Sequence, residues 1–173
     1  MSWKKIDIHR RRARQIALNI LVWGPSHKDR QGYTLRLNIK NYLNKNGHSA
    51  KFSEELFKEG KIKAATDPLI DEIFHADAAN LIIVLYGSKG TQTEFDRILA
   101  YEKFAQKAVI LLKESIWGEL QRSLSGLAWK NTQAEILQFS DKDLTVHNVC
   151  CKLDEIIEKL QFDEYIRRLR LGN

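Results

Sequence analysis

Two strongly apolar segments, Ala78–Leu85 (broken only by Asn80) and Ala108–Leu112, restrict this chain more than any other feature. Successive side chains on a strand point to opposite faces, so a strand apolar at every position needs a cover on both sides. Such strands belong at the centre of a parallel sheet whose crossovers are helices. The rest of the chain agrees. Asn19–Trp23 reads as a buried strand, His48–Ser53 as a weaker one and Glu135–Phe139 as a short edge strand. Between them lie helical patterns over Thr34–Asn46, from Asp67-Pro68 (with Leu69, Ile70, Ile73 and Phe74 as apolar face), over Thr91–Gln106 and over Ser115–Leu124. Strands alternating with helices predict right-handed crossovers and a doubly wound, flavodoxin-like α/β fold with five parallel strands in the order 2-1-3-4-5. A long amphipathic helix from about Lys142 to Leu171 closes the chain.

With 173 residues, 43% hydrophobic and 29% charged, the expectation is a single α/β domain over residues 1–173. Residues 1–18 read as a basic N-terminal extension, 19–140 as the sheet core and 141–171 as the C-terminal helix. No apolar run approaches the roughly 20 residues of a membrane span, and no secretory apolar segment opens the chain, so a cytoplasmic protein without a membrane partner is expected. Cys150 and Cys151 are adjacent and poorly placed for a structural disulfide. The net charge of +6 gathers in His9–Arg14 and Arg167–Arg170. Neither cluster is interleaved with aromatics or set on a reading helix, so a solvated arm and a helix-end dipole match are expected, and a nucleic-acid partner is not.

In a 2-1-3-4-5 sheet the loops after the first and third strands flank one crevice at the strands' carboxyl ends. The first, Gly24–Tyr33, is long for a βα connection. Its Gly24, Pro25 and Ser26 could bring amides and a hydroxyl to a phosphate, or simply form a polar turn. The second, Tyr86-Gly87-Ser88-Lys89-Gly90-Thr91, leads to Glu94. A carboxylate there can act as a nucleophile, yet Thr91-Gln92-Thr93-Glu94 is also a capping box, with Thr91 as N-cap. Tyr86 could stack on a base or ribose, or be an ordinary strand-end aromatic. Glu54, after the second strand, is either a second carboxylate or an exposed helix-start acid. His27, His48, His75 and His147 show no metal-ligand spacing, and no metal is expected.

These segments resemble the nucleoside 2-deoxyribosyltransferase-like family. Ile20-Leu21-Val22-Trp23-Gly24-Pro25 is similar to its strand-then-Gly-Pro opening, Ile73–Ala79 to its helix-then-Ala-Asp approach, and Gly90-Thr91-Gln92-Thr93-Glu94-Phe95 to its Gly-x-x-x-Glu segment. Lys107–Leu112 is similar to the strand that follows. The similarity covers roughly residues 19–113 and extends in fold to TIR-like, NAD-cleaving N-glycosidases. It departs at Phe95-Asp96-Arg97, where the family often has small residues. The family also has an acid ahead of the third strand, which Asp67 and Asp71 match ambiguously.

The resemblance implies that Glu94 is the nucleophilic glutamate of a hydrolase or transferase. The bond cleaved would be the N-glycosidic bond of a nucleotide, a nucleoside or an NAD-like dinucleotide. It also implies a role as effector in bacterial antiphage defence, with a defence-system partner protein. NAD or a nucleotide is then substrate, and no cofactor is expected. A second group would protonate the leaving base; Asp29, Glu54 and Asp71 are the candidates. Gly24, Pro25, Ser26, Tyr86, Gly87, Gly90 and Thr91 are the expected substrate-binding residues. The alternative is a non-catalytic nucleotide- or partner-binding module of the same fold, whose long C-terminal helix could mate with a second copy or another chain.

Overall fold

In the computed structural model, which describes residues 3–59, 68–87, 101–120 and 133–172, five parallel strands form one sheet in the order β2-β1-β3-β4-β5. They are β1 (Asn19–Trp23), β2 (Ser49–Lys51), β3 (Leu81–Leu85), β4 (Ala108–Lys113) and β5 (Glu135–Phe139). Ile20 pairs with Leu81, Leu85 with Leu111, and Leu111 with Leu137. The helices are α1 (Trp3–Ala13), α2 (Arg30–Lys45), α3 (Ser53–Glu59), α4 (Pro68–Ala78), α5 (Glu102–Ala105), α6 (Glu114–Leu120) and α7 (Val146–Leu171).

The pleat sorts the apolar runs into two cores. Ile20, Val22, Ile83, Val109 and Leu111 face Ile39 and Leu43 of α2 and Val149, Leu153 and Ile157 of α7. Leu21, Trp23, Ile82, Val84 and Ile110 face the other way, toward Ala76 of α4 and Phe104 of α5. Every residue of β3 is buried on one side or the other, as a central parallel strand requires.

Capping chemistry moves several boundaries. Asp29, with an extended backbone, accepts a hydrogen bond from Gly32 N at 3.1 Å, so α2 begins at Arg30, four residues before the apolar periodicity does. The connection after β1 is therefore Gly24–Asp29, an ordinary length, and its expected excess disappears. At the other end, left-handed Gly47 (φ +87°) follows the Asn46 cap, and the Asn44 side chain binds both backbone groups of Ala50 to start β2. Lys107 Nζ donates to the carbonyls of Asp77 and Ala79 at 2.9 and 2.8 Å. It closes α4 there, so β3 starts at Leu81 rather than Ala78. Burial holds this ammonium below its usual pKa against the pull of Asp77.

Two expected features are corrected. Phe74, read as part of the inward face of α4, is 66% exposed, while Ala76 and Ala79 turn inward. The helix expected over Thr91–Gln106 does not run through Tyr101, whose backbone is extended (φ −118°, ψ 105°). Tyr101 caps the four-residue α5, and its ring lies 5.4 Å from that of Phe104.

The basic N-terminal segment is not a solvated arm. Residues 3–13 form α1, which packs along α7. His9 Nδ1 meets the Tyr165 hydroxyl at 2.8 Å, and Arg14 pairs with Glu158 at 2.9 Å. The buried Gln161 amide donates to the carbonyls of Arg14 and Ile16. Along the other flank of α7, the Tyr42 hydroxyl donates to Asp154 at 2.6 Å; that bond, burial and the aspartate charge push the phenol pKa up to about 12. α7 thus spends much of its apolar face inside the fold, while Phe162, Leu169 and Leu171 stay exposed. No helix among the described residues is long and apolar enough to cross a membrane.

Candidate functional site

After β1 the chain turns into α2 on one face of the sheet. The chain returns to the sheet's opposite face through α4 ahead of β3, so the carboxyl ends of β1 and β3 border an opening at the switch point. A crevice of about 280 Å³ lies there. Pro25, Asp29 and Gly32 form one side, and Tyr86 and Gly87 follow β3. Lys113, at the end of β4, and Asp141, just after β5, form the other.

Arg36 builds this edge. It is 2% exposed, and it lies on the same α2 stripe as Ile39 and Leu43. Its Nη2 donates to the carbonyl of Val22 at 2.8 Å, its Nε to the same oxygen at 3.2 Å, and its Nη1 to Pro25 O at 3.4 Å. The two terminal nitrogens also grip both oxygens of Glu54 at 2.8 Å. The guanidinium plane rests 4.0 Å from the Phe52 ring centroid. One side chain therefore ties the end of β1, the following turn and the start of α3 together. A lone cation in an apolar helical stripe was the signal in the sequence.

Gly24 shows how tightly the crevice loop is seated. Its φ is +156°, and an added Cβ would lie 3.0 Å from Leu85 Cβ, 3.2 Å from Leu85 O and 3.3 Å from Arg36 Cδ. Substitution Gly24→Ala is expected to cost about 2 kcal/mol through strain and overpacking. The denaturant midpoint measures it directly.

The expected site residues divide. Asp29, Pro25, Tyr86 and Gly87 line the crevice. Asp29 also caps α2, and Gly32 makes that possible, because a Cβ there would sit 2.7 Å from Asp29 Oδ2. Gly24 packs on Leu85 beneath the loop, and Ser26 is exposed in the turn. Glu54 does not line the crevice, being held by Arg36. Burial raises its pKa, but the Arg36 donors outweigh that and hold the carboxyl below the usual range. Glu94, Gly90 and Thr91, with the Asp71 side chain, lie outside the described residues.

No protein-family profile and no curated protein matches this chain.

Asp141 and Lys113 were missed from the sequence. Asp141 accepts a hydrogen bond from Ser115 Oγ at 3.1 Å, and Lys113 Nζ stands 3.9 Å from the same oxygen. Their signal was positional, since Lys113 ends one strand and Asp141 follows another at the carboxyl edge. Among the described residues no three His, Cys, Asp or Glu side chains gather as a metal set. The crevice offers carboxylates on two sides, an aromatic ring and an ammonium, a set suited to sugar hydroxyls, a flat base and general acid–base work.

Proposed function

We propose that this chain cleaves an N-glycosidic bond of a nucleotide, a nucleoside or an NAD-like dinucleotide in the crevice at the ends of β1 and β3. The observation that carries the reading is a crevice at the switch point with Asp29, Tyr86 and Asp141 on its walls. Breaking such a bond builds positive charge on the anomeric carbon. Glu94, nine residues beyond β3 in sequence, stabilises that charge or traps it covalently. Asp29 or Asp141 protonates the leaving base and then activates water, as paired carboxylates do for O-glycosides. A nicotinamide is cationic while attached, takes the bonding pair as the bond breaks and leaves neutral, so it needs no proton. Tyr86 stacks on the base or ribose. The sequence resemblance supports the same chemistry and extends it to an antiphage effector acting with a defence-system partner.

A second reading, a nucleotide-binding module without turnover, is favoured by Glu54 being committed to Arg36 and Asp29 to the α2 cap. Incubation with NAD, NADP, nucleotides and deoxynucleotides over a range of protein concentrations separates the two. Released base, reduced roughly a hundredfold in Asp29→Asn or in Asp141→Asn, is the expected outcome. Saturable binding of the same compounds with no released base at any concentration rejects the enzymatic reading in favour of the second.

A further inference from the structure

We propose that the α1–α7 pair docks on the surface of an anionic lipid bilayer. The two arginine clusters are separated by most of the sequence, yet His9–Tyr165 and Arg14–Glu158 bring their helices side by side, antiparallel. Residues 7–15 and 158–172 hold eight Arg and Lys against four Asp and Glu, a net +4 out of +6 for the chain. Arg10, Arg11, Arg12 and Arg170 are exposed. Of the six exposed large apolar side chains among the described residues, four lie on this pair: Ile8, Phe162, Leu169 and Leu171. Phe162 and Leu169 stand at i and i+7 on the flank of α7 that also carries Glu158 and Tyr165, the partners of α1.

Cations beside exposed apolar side chains are the composition of a helix surface that lies in a bilayer interface. Duplex nucleic acid would use the arginines and leave the leucines in water. A second copy would set arginine against arginine across a two-fold axis. Lipid uses both parts of the surface, and such contact requires no spanning segment. The geometry leaves the crevice open. α7 starts next to it, where Leu144 lines its wall, and runs to the amino edge of the sheet, where Gln161 holds the chain just before β1.

Sedimentation of the full chain with vesicles tests the proposal. Pelleting is expected with vesicles of equal parts phosphatidylglycerol and phosphatidylcholine. It is not expected with phosphatidylcholine alone, and salt at about 1 M should reverse it. Combined Arg10→Glu, Arg11→Glu and Arg170→Glu should lower partitioning roughly a hundredfold or more. Leu169→Ser with Leu171→Ser, at unchanged charge, should lower it roughly tenfold or more. Ile8→Ser reports the same loss from the other helix should α7 be unsettled. Failure to bind acidic vesicles overturns the proposal, as does wild-type partitioning by the serine variants. Binding of a duplex oligonucleotide in place of vesicles, or a dimer dissolved by the leucine substitutions, assigns the surface to another partner and overturns it equally.

Discussion

Replacing Arg36 with methionine is expected to destabilise the fold by about 3–5 kcal/mol, the combined cost of leaving two carbonyls and a half-exposed carboxylate without their charged donor. That is a large share of the roughly 5–15 kcal/mol that holds a domain together, and it should lower the melting temperature by roughly 10 °C. The magnitude follows from what is left behind. The Val22 carbonyl loses both of its guanidinium donors, Pro25 O loses its donor, and both Glu54 oxygens lose theirs. Lysine keeps the charge but not the fork, so Arg36→Lys should recover only part of the loss. Glu54→Gln, at a half-exposed position, should cost far less, about 1 kcal/mol.

The pair also sets a pH dependence. Glu54 has its folded pKa held below the ordinary 4.5, so its stabilisation is complete above that pH and is lost as pH falls through the lower folded value. The stability gap between wild type and Arg36→Met should therefore narrow on acidification below about pH 4.5. A gap unchanged down to the acid limit of folding would mean that the ion pair contributes nothing beyond packing.

Glu94→Gln is expected to reduce base release by roughly a thousandfold or more, because an amide neither attacks nor neutralises an oxocarbenium-like centre. The substitution is informative because glutamine also serves as the third helical residue of a capping box. It removes the charge while keeping a residue that the capping-box pattern accepts, so stability should change by less than about 1 kcal/mol. Glu94→Ala removes both. Loss of activity in both variants, with the alanine form alone destabilised, identifies a catalytic carboxylate that also caps. Full activity in the glutamine form would reduce Glu94 to its cap and remove it from the proposed mechanism.

The sheet was legible because its central strands are apolar at every position, a pattern that only a doubly covered parallel strand accommodates. The order 2-1-3-4-5 followed from alternation and handedness, and with it the edge on which a crevice must lie. Boundaries were less legible, because caps such as Asp29 and Lys107 end elements against the apolar periodicity. Asp29 and Tyr86, which follow strands in the sequence, both line the crevice. Glu54 is the exposed helix-start acid that one of its two readings gave, while its partner Arg36, 18 residues away on another helix, was not legible.

By itself, then, the sequence determined the fold class, the strand order and the edge at which ligands can meet the sheet, since these depend on periodicity and chirality along the chain. Tertiary structure alone decided which charges pair and which stay open. It paired Glu54 with Arg36, set Asp141 and Lys113 across from Asp29, and brought side by side the helices that carry two distant arginine clusters. The physical reason is range. Apolar patterning acts through neighbours three or four residues apart, whereas a guanidinium finds its carboxylate only after folding has carried both to the same few ångströms.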